Sequence, residues 1–534
     1  MKGKRPDFPV VLLLLWLVLY ACSGGGGTWV ADYEVPPAQR GGSAVHGWPP
    51  VTVTTPVVVS RGPVGDTPST VIIDINTIIT DNFKGIGVEF DPYAPGLPID
   101  WDMITSRLDF LKPAFVRTMV ETWNYVLSDN GYAVIDDQQP VYRWNNPSML
   151  EAYKVLDYCQ KNGIDVVWGD WGDWFGNLTE KTYANTMWSM AIGEAVNHLV
   201  NKKGYDCVKR YNLGNEPNGD WSQCNGDFKC YHDGVQNMKA ELGRRKLGDM
   251  VSMSGPSIFG WTGNDEIFAG WLQQTTQNLW KQLSSYDIHW YPSSGDVANG
   301  LVESTIRAFR QIINTSDPQG STKDFFILES GLIDDKTHCD RQPHIAEFQY
   351  GVWMADLAAQ AIRGGVSGIS AWDLDDASHP SCCDDAGPGP CYKEWGMWSS
   401  VAVDKGMRPW FYPWSLLSRL FPKGSQVVSA GPNPVAHGVR VLAMKKPNAD
   451  KYDLSVMIVN NADSGIGTIT IKIPNAGKAT LNQYNYFEID RTVDGQGFPA
   501  VKTVLTNVDI AEGVQVNIPS SGVVFLTTLS AGDG

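Results

Sequence analysis

Apolar positions in the middle of the chain follow two different spacings. At Ile104, Leu108 and Leu111 they recur every three or four residues, the period of a helix with one buried face, and this run stops before Pro113. Segment 115–120 is instead a short, mostly apolar run that is typical of a buried strand. The alternation repeats and predicts eight strands, at residues 85–90, 115–120, 165–168, 210–214, 251–254, 286–291, 325–329 and 368–372.

Eight strand–helix units in succession predict an α/β fold, a (β/α)8 TIM barrel that spans residues 85–421. The same alternation could also build an open, doubly wound sheet. The count of eight favours the barrel, and so do the polar and aromatic residues directly after the strands, where barrel active sites lie. One helix end is predicted in detail: Ser148 and Glu151 form a capping box at its start, and Gly163 closes it.

Residues 422–534 show a different pattern, with short segments of alternating apolar and polar residues separated by Gly, Pro, Asn and Asp. This alternation predicts an appended C-terminal β-sandwich domain. A β-branched stretch within residues 67–84 predicts one or two further strands just before the barrel, and these can complete the same sandwich.

The N-terminus has the features of an export signal. Basic residues precede an apolar run that is too short to span a bilayer comfortably, which predicts a signal peptide over residues 1–22. Its end, Leu19-Tyr20-Ala21-Cys22, resembles the lipobox of bacterial lipoproteins, in which Cys22 would carry the lipid; plain secretion is the alternative. Residues 23–66 are rich in Gly, Pro, Val, Thr and Ser and predict a flexible linker. We therefore expect a secreted or cell-surface protein.

Composition narrows the classes of ligand. The formal net charge of −16 argues against nucleic acid, which requires basic patches, and against a strongly polyanionic substrate. The 21 tryptophans can belong to the core, but an excess of this residue also suits sugar binding, because the apolar face of a pyranose stacks on an aromatic ring.

The nine cysteines suit an oxidising compartment, because eight remain to pair if Cys22 carries lipid. Cys224 and Cys230 are close enough to form a disulfide, and Cys159 and Cys207 are then left for each other. The other pairs would come from Cys339, Cys382, Cys383 and Cys391. Other connectivities fit the same count. A zinc site from the histidines and cysteines after residue 337 is the rival interpretation, but its spacing matches no common zinc pattern.

Two glutamates stand where a barrel would bring them together. Glu216 follows the fourth predicted strand, and Glu329 ends the seventh. Hydrolysis of a glycoside with retention needs one protonated carboxyl for the leaving oxygen and one ionised carboxyl to attack the anomeric carbon, about 5–5.5 Å apart. Strand ends on opposite sides of a barrel can provide that separation.

The sequence around both glutamates resembles clan A of the glycoside hydrolases. Asn215-Glu216-Pro217-Asn218 looks like the acid/base motif of that clan, and Ile327-Leu328-Glu329-Ser330 is similar to its nucleophile strand. The resemblance covers the whole predicted barrel and is nearest to family 39, with families 30, 79 and 5 also compatible. It implies a retaining O-glycosidase for β-linked sugars, with Glu216 as acid/base and Glu329 as nucleophile.

The resemblance also implies roles for residues at other strand ends. Asn215 would hydrogen-bond the sugar 2-hydroxyl, and Arg117 would hydrogen-bond the nucleophile and keep it ionised. His289 and Tyr291 point to the same side of strand six, and either could contact one of the glutamates. Trp372, at the end of strand eight, would form the floor of a sugar subsite. Each residue also has a structural interpretation, as an ion pair, a satisfied core residue or barrel packing.

Further polar and aromatic residues follow the strands. Glu89 and Asp91 end strand one, where exo-acting enzymes often bind a sugar hydroxyl, and Trp171 lies in a tryptophan-rich loop after strand three. Glu121 is a rival carboxylate that lacks the motif context. An acidic loop over residues 373–385 could bind calcium, but its spacing matches no known loop pattern, so no metal is predicted.

The predicted protein is thus a glycosidase that acts on an oligosaccharide, polysaccharide or simple glycoside and uses no cofactor. It would contact a membrane only through lipid on Cys22. Two alternatives stay open: a non-catalytic carbohydrate-binding surface lipoprotein, against which the intact glutamate pair speaks, and a transglycosylase on the same fold.

Overall fold

The computed structural model describes residues 69–172, 183–261, 265–337, 340–379, 391–399, 406–448, 452–462 and 467–529. The predicted signal peptide, Cys22 and the linker to residue 66 lie outside these ranges, as do Cys339, Cys382 and Cys383. Among the helices of the described ranges, none combines the length and apolar character needed to cross a membrane.

Eight parallel strands close into a barrel, which confirms the (β/α)8 prediction and rules out the open sheet. Each strand pairs with the next one in the chain, and strand eight pairs with strand one. The strands, numbered one to eight here, are Gly85–Glu89, Phe115–Met119, Asp165–Gly169, Val208–Asn212, Ser252–Gly260, Ser285–Trp290, Asp324–Ser330 and Gly368–Ala371. Strands one and two are buried along their whole length, as expected for strands covered on both faces.

A helix follows each barrel strand. In order, they are Trp101–Leu111, Pro147–Asn162, Thr186–Asn197, Phe228–Arg244, Asp265–Asn278, Leu301–Ser316, Phe348–Gly364 and Phe411–Leu420. Shorter helical turns occupy Thr122–Asn124, His198–Lys202, Ser294–Asn299 and Gly320–Thr322. Two-stranded hairpins in the loops pair Ser128–Asp129 with Tyr132–Ala133, Ile135–Asp136 with Gln139–Pro140, and Ala377–His379 with Cys391–Lys393.

One predicted helix end is confirmed and the other is wrong. Gly163 ends the second helix in the left-handed conformation, with φ of 68°. The helix starts one residue before the predicted capping box, however, because Pro147 occupies its first turn, where a missing N–H costs nothing. Asn146 is the N-cap and makes no side-chain hydrogen bond there.

The C-terminal β domain is present as a nine-stranded sheet. In spatial order its strands are Thr503–Asp509, Lys478–Tyr486, Gly522–Thr527, Tyr452–Asn460, Val439–Pro447, Gln426–Gly431, Ser69–Thr80, Gly467–Lys472 and Val514–Ile518. The N-terminal strand Ser69–Thr80 therefore lies inside this sheet, antiparallel to Gln426–Gly431. Val71 and Ile73 are buried in its core while Ile72 between them is half exposed, which reflects the two-residue period of a strand.

A buried ion pair joins this sheet to the barrel. Asp356, in the helix after strand seven, accepts a 2.6 Å hydrogen bond from the Arg440 guanidinium of strand Val439–Pro447. Asn461 donates to the same carboxylate oxygen at 3.1 Å. The sheet is thereby held against the helix that follows strand seven.

The cysteines behave partly as predicted. Cys224 and Cys230 form a disulfide, which closes the loop between strand four and its helix. The predicted pair of Cys159 and Cys207 is wrong, because both are buried free thiols. The Cys207 Sγ lies 3.8 Å from the carbonyl oxygen of Leu156 in the apolar interior, where a neutral thiol packs as a small hydrophobic group.

Candidate active site

Register between neighbouring strands brings the predicted site residues together at the carboxyl end of the barrel. Glu89 on strand one pairs with Arg117 on strand two. His289 on strand six pairs with Glu329 on strand seven. Residues that are far apart in the chain therefore become direct neighbours on adjacent strands, on the face where barrel enzymes carry their active sites.

Arg117 is the centre of a buried hydrogen-bond network. Its Nη1 donates to Glu89 Oε2 at 2.6 Å and also to Glu329 Oε1, and its Nη2 donates to Asn215 Oδ1 at 2.7 Å. Since a guanidinium can only donate, the oxygen of the Asn215 amide must face Arg117 and its NH2 group is left to donate elsewhere. Glu89 is fully buried and accepts a hydrogen bond from Arg117, while its contact with a sugar hydroxyl stays a prediction.

The second carboxylate oxygen of Glu329 has its own donor. Tyr291 donates from its hydroxyl to Glu329 Oε2 at 2.8 Å. Burial, followed by the charges of Glu329 and Glu216, raises the pKa of Tyr291 well above its ordinary value, so it remains a neutral donor. Glu329 thus receives a donor on each oxygen, an arrangement that stabilises its negative charge.

Glu216 has a contrasting environment on the strand-four side. Its backbone is left-handed, with φ of 47°, and its N–H donates to the Ser257 carbonyl at 3.1 Å. A non-glycine residue held in this region costs on the order of 1 kcal/mol and occurs often at functional sites. Oε2 accepts from Trp221 Nε1 at 3.0 Å. Burial raises the pKa of Glu216 to about 7, although Arg117 and Trp221 act in the opposite direction.

His289 lies between the two glutamates. Its Nδ1 is 3.0 Å from Glu216 Oε1 and 3.4 Å from Glu329 Oε1. Burial lowers the pKa of His289 to about 3, so the ring is neutral at ordinary pH and adds no positive charge. One carboxylate oxygen of Glu216 and one of Glu329 lie within 4.8 Å of each other.

In the described part of the chain, Glu216, His289 and Glu329 each have a possible metal-ligand atom, and these three atoms lie within 4.8 Å of one another. Their hydrogen bonds argue against that use. Arg117 and Tyr291 already donate to Glu329, Trp221 donates to Glu216, and the guanidinium places a positive charge beside the cluster. A cation there would lose ligands to these donors and meet like charge.

The two predicted tryptophans lie at the edges of this network. The Arg117 guanidinium lies 5.8 Å from the centre of the Trp171 ring, at cation–π distance. Trp372 packs at 5.5 Å against Trp395, and both belong to one small cluster with Tyr291. The structure thus places all nine predicted site residues in or beside one network.

Three other residues belong to this site: Trp221, which sequence reasoning missed, Asp91, which was predicted only as a second polar residue at the end of strand one, and Asp373, which was predicted only in the acidic loop. Trp221, five residues after Glu216, is its hydrogen-bond donor. Asp91 and Asp373 end up close enough to Glu89 to influence ionisation, and burial raises the pKa of both, that of Asp91 to about 7. An indole in the same loop as a proposed acid was an available signal, whereas the approach of the two aspartates depends on closure of the barrel.

Comparison with known proteins shows similarity in the fold but none in the sequence searches. No known family model matches the chain, and no curated protein matches it. Solved structures do. A GH30 endoxylanase from Clostridium papyrosolvens C71 aligns with a TM-score of 0.60 and 11% identity, over 86% of this chain and 100% of its own. The chain shares the fold of glycoside hydrolases.

Two further structures give the same result over the same 86% of the chain. A GH39 enzyme from Xanthomonas axonopodis pv. citri aligns with a TM-score of 0.57 and 16% identity over 97% of its length. An α-L-arabinofuranosidase from Thermotoga maritima, solved with arabinose, aligns with a TM-score of 0.59 and 11% identity over 99% of its length. At such low identity the likeness concerns the fold; the chemistry must be argued from the site.

Proposed function

We propose that this protein hydrolyses O-glycosidic bonds with retention of configuration, using Glu329 as nucleophile and Glu216 as acid and then base. One observation carries the proposal: the partly buried carboxyl of Glu216 and the buried carboxyl of Glu329 approach within 4.8 Å across the carboxyl end of the barrel. Retaining enzymes hold their carboxyls about 5–5.5 Å apart, whereas inverting enzymes leave about 6.5–9.5 Å for a water molecule.

The two carboxyls have the different environments that the two roles require. Glu216 has a pKa raised to about 7 by burial, which keeps a proton available near neutral pH. Glu329 receives hydrogen bonds from Arg117 and Tyr291, which suit an ionised carboxylate. The raised pKa of Glu216 and the hydrogen bonds to Glu329 therefore support Glu216 as acid and Glu329 as nucleophile, and not the reverse.

The proposed reaction has two steps. First, Glu216 gives its proton to the glycosidic oxygen as the bond from that oxygen to the anomeric carbon breaks, and Glu329 forms a bond to the same carbon. Next, Glu216 removes a proton from water, the resulting hydroxyl attacks the anomeric carbon, and the ester to Glu329 breaks. The free NH2 group of Asn215 is suited to hold the sugar 2-hydroxyl during both steps.

The raised pKa of Glu216 implies a pH limit. For a substrate with a poor leaving group, kcat/KM should fall as pH rises through about 7, because ionised Glu216 has no proton to donate. With a dinitrophenyl glycoside, whose leaving group departs without protonation, this limb should be absent. Measurement of kcat/KM against pH for both substrates tests the assignment, and the same limb for both, or a limb centred near 4.5, would contradict it.

The charge around the sugar-binding side favours a neutral sugar. Glu89, Asp91 and Asp373 interact electrostatically with one another there, and Arg117 is already bound to three acceptors. A carboxylate on the sugar would find no free positive charge among these residues, and the formal net charge of −16 would oppose its approach. The names of the structural neighbours, a xylanase and an arabinofuranosidase among them, make pentosides the first substrates to test.

A panel of aryl β-glycosides tests the proposed function directly. The xyloside, glucoside, galactoside, mannoside and glucuronide should be compared, and the glucuronide should be the slowest. For the fastest substrate, proton NMR of the first-formed product should show the β anomer before mutarotation. An α anomer would mean inversion, and a failure to hydrolyse any member of this panel or an arabinofuranoside would remove the support for a glycosidase.

A further inference from the structure

Three tryptophans are exposed among the described residues, and all three follow the carboxyl ends of barrel strands. Trp123 comes after strand two, Trp221 after strand four and Trp261 directly after strand five. Trp221 is 56% exposed and Trp261 is 39% exposed, whereas Trp168, at a strand end nearby, is fully buried. Large exposed aromatic rings on one face of a protein indicate a binding surface.

Two of these tryptophans are linked to the proposed catalytic glutamates. Trp221 Nε1 donates to Glu216 Oε2, and its ring meets the Phe259 ring edge-on at 5.7 Å. The centre of the Phe259 ring also lies 4.9 Å from that of Trp261 and 5.7 Å from that of Tyr291, the donor to Glu329. Trp221, Phe259 and Trp261, here called the aromatic platform, therefore extend outward from the Glu216 carboxyl.

The aromatic platform is held in place before any ligand arrives. Asn218 binds the Phe259 backbone twice: its Nδ2 donates to the carbonyl at 2.8 Å, and its Oδ1 accepts from the N–H at 2.9 Å. The disulfide from Cys224 to Cys230 closes the same loop a few residues later. A fixed platform loses little conformational entropy on binding a ligand.

We propose that the aromatic platform is a leaving-group subsite that stacks on a sugar ring beyond the bond to be cleaved, so that the enzyme prefers β-linked oligosaccharides to glycosides with small leaving groups. This inference rests on the proposed function. The platform contacts Glu216, the group that protonates the leaving oxygen, so a ring stacked on Trp221 lies on the leaving side. The buried carboxyls near Arg117 surround the other side of the bond.

Trp221 would also position Glu216. Its N–H donates to one oxygen of the Glu216 carboxyl, a hydrogen bond that is stronger to the carboxylate than to the acid, so it favours the ionised product of proton transfer. Loss of this N–H should therefore raise the pKa of Glu216 and move the basic limb of the pH profile to higher pH. A purely structural role of the indole would leave that limb in place.

The test compares two substrates with the same reacting sugar. Xylobiose carries a leaving-group sugar and β-xylosyl fluoride does not; the equivalent pair replaces them if another sugar reacts faster. Trp261→Ala should lower kcat/KM for the disaccharide about tenfold or more, by loss of stacking, and change that for the fluoride less than about threefold. Trp221→Ala should also lower kcat/KM for the disaccharide, but its hydrogen bond to Glu216 makes it a test of both stacking and positioning.

Two variants serve as controls. Trp221→Phe keeps a flat ring but loses the N–H, so it should retain most of the disaccharide preference while the basic limb moves upward. Trp280→Ala removes a tryptophan that precedes strand six, at the opposite end of the barrel, and should change neither substrate. Circular dichroism and thermal unfolding confirm that each variant folds.

The outcomes separate this inference from the function on which it rests. Equal losses on xylobiose and the fluoride in Trp261→Ala, or no loss on either, would overturn the subsite. If the wild-type protein hydrolyses neither compound nor any other glycoside tested, the proposed function itself fails. Hydrolysis of the fluoride by wild type and by Trp261→Ala but not by Glu329→Ala, together with a selective loss on xylobiose in Trp261→Ala, would support both.

Discussion

Glu329→Ala is expected to reduce kcat for an aryl β-glycoside by about 10⁴- to 10⁶-fold. The reason is chemical: without the carboxylate no glycosyl–enzyme ester forms, and Arg117 and Tyr291 are left to surround an empty position. Glu329→Gln keeps the side-chain shape and should be as inactive, so a loss of activity would not depend on altered packing. Thermal unfolding of both variants should stay close to that of the wild type.

Azide distinguishes the roles of the two glutamates. In Glu329→Ala, azide can take the vacated position and attack the anomeric carbon once, which yields the α-glycosyl azide. In Glu216→Ala, Glu329 still forms the ester from an activated substrate, and azide then attacks that ester to yield the β-glycosyl azide. Opposite anomers would establish both roles, whereas full activity of either alanine variant would refute its assignment.

Arg117→Met should be the most destabilising single change in the site, with a loss of about 3–5 kcal/mol in the free energy of unfolding. Arg117 is completely buried, and its removal leaves Glu89 and Glu329 close together without a compensating charge. Activity should be lost as well, because Glu329 and Asn215 are both positioned by the guanidinium. Urea denaturation at neutral pH measures the change in the free energy of unfolding.

Two comparisons show whether the loss comes from uncompensated charge. Arg117→Met combined with Glu89→Gln should recover part of the lost free energy of unfolding, because only one of the two carboxyls then remains without a positively charged partner. The destabilisation by Arg117→Met should also shrink as pH falls below about 4, because burial raises the pKa of Glu89 in the folded chain and below this pH Glu89 is protonated in the unfolded chain as well. A variant as stable as the wild type at neutral pH would show that the network is not needed for folding.

Hydrophobic spacing identified each barrel strand, but not its full length. Strand five was predicted at residues 251–254 and extends to Gly260. Gly255, Pro256 and Ser257 interrupt the apolar pattern, and the strand register shifts at Pro256. The Ser257 hydroxyl is nevertheless satisfied inside the barrel, 2.6 Å from Asn212 Oδ1 and 2.5 Å from Asp287 Oδ1, which no local pattern reveals.

Which residues contact each other was harder to predict from the sequence than which residues belong to the site. Cys159 and Cys207 were paired only by elimination, and the structure keeps them as separate thiols. Trp221 stands five residues from Glu216, but its hydrogen bond depends on how the loop folds back over the strand end. The contact of Glu89 with Arg117 was not predicted, because it depends on the register that sets strands one and two side by side.

The sequence alone determined the type of fold and the position of the two glutamates along it, because period and strand ends are local properties of a chain. Only the tertiary structure decided their separation and their unequal environments. Closure of the barrel brings Glu216 and Glu329 within 4.8 Å, and burial raises the pKa of Glu216 while Arg117 and Tyr291 hold Glu329. Distance and burial arise from strands that are remote in sequence, so no local pattern contains them.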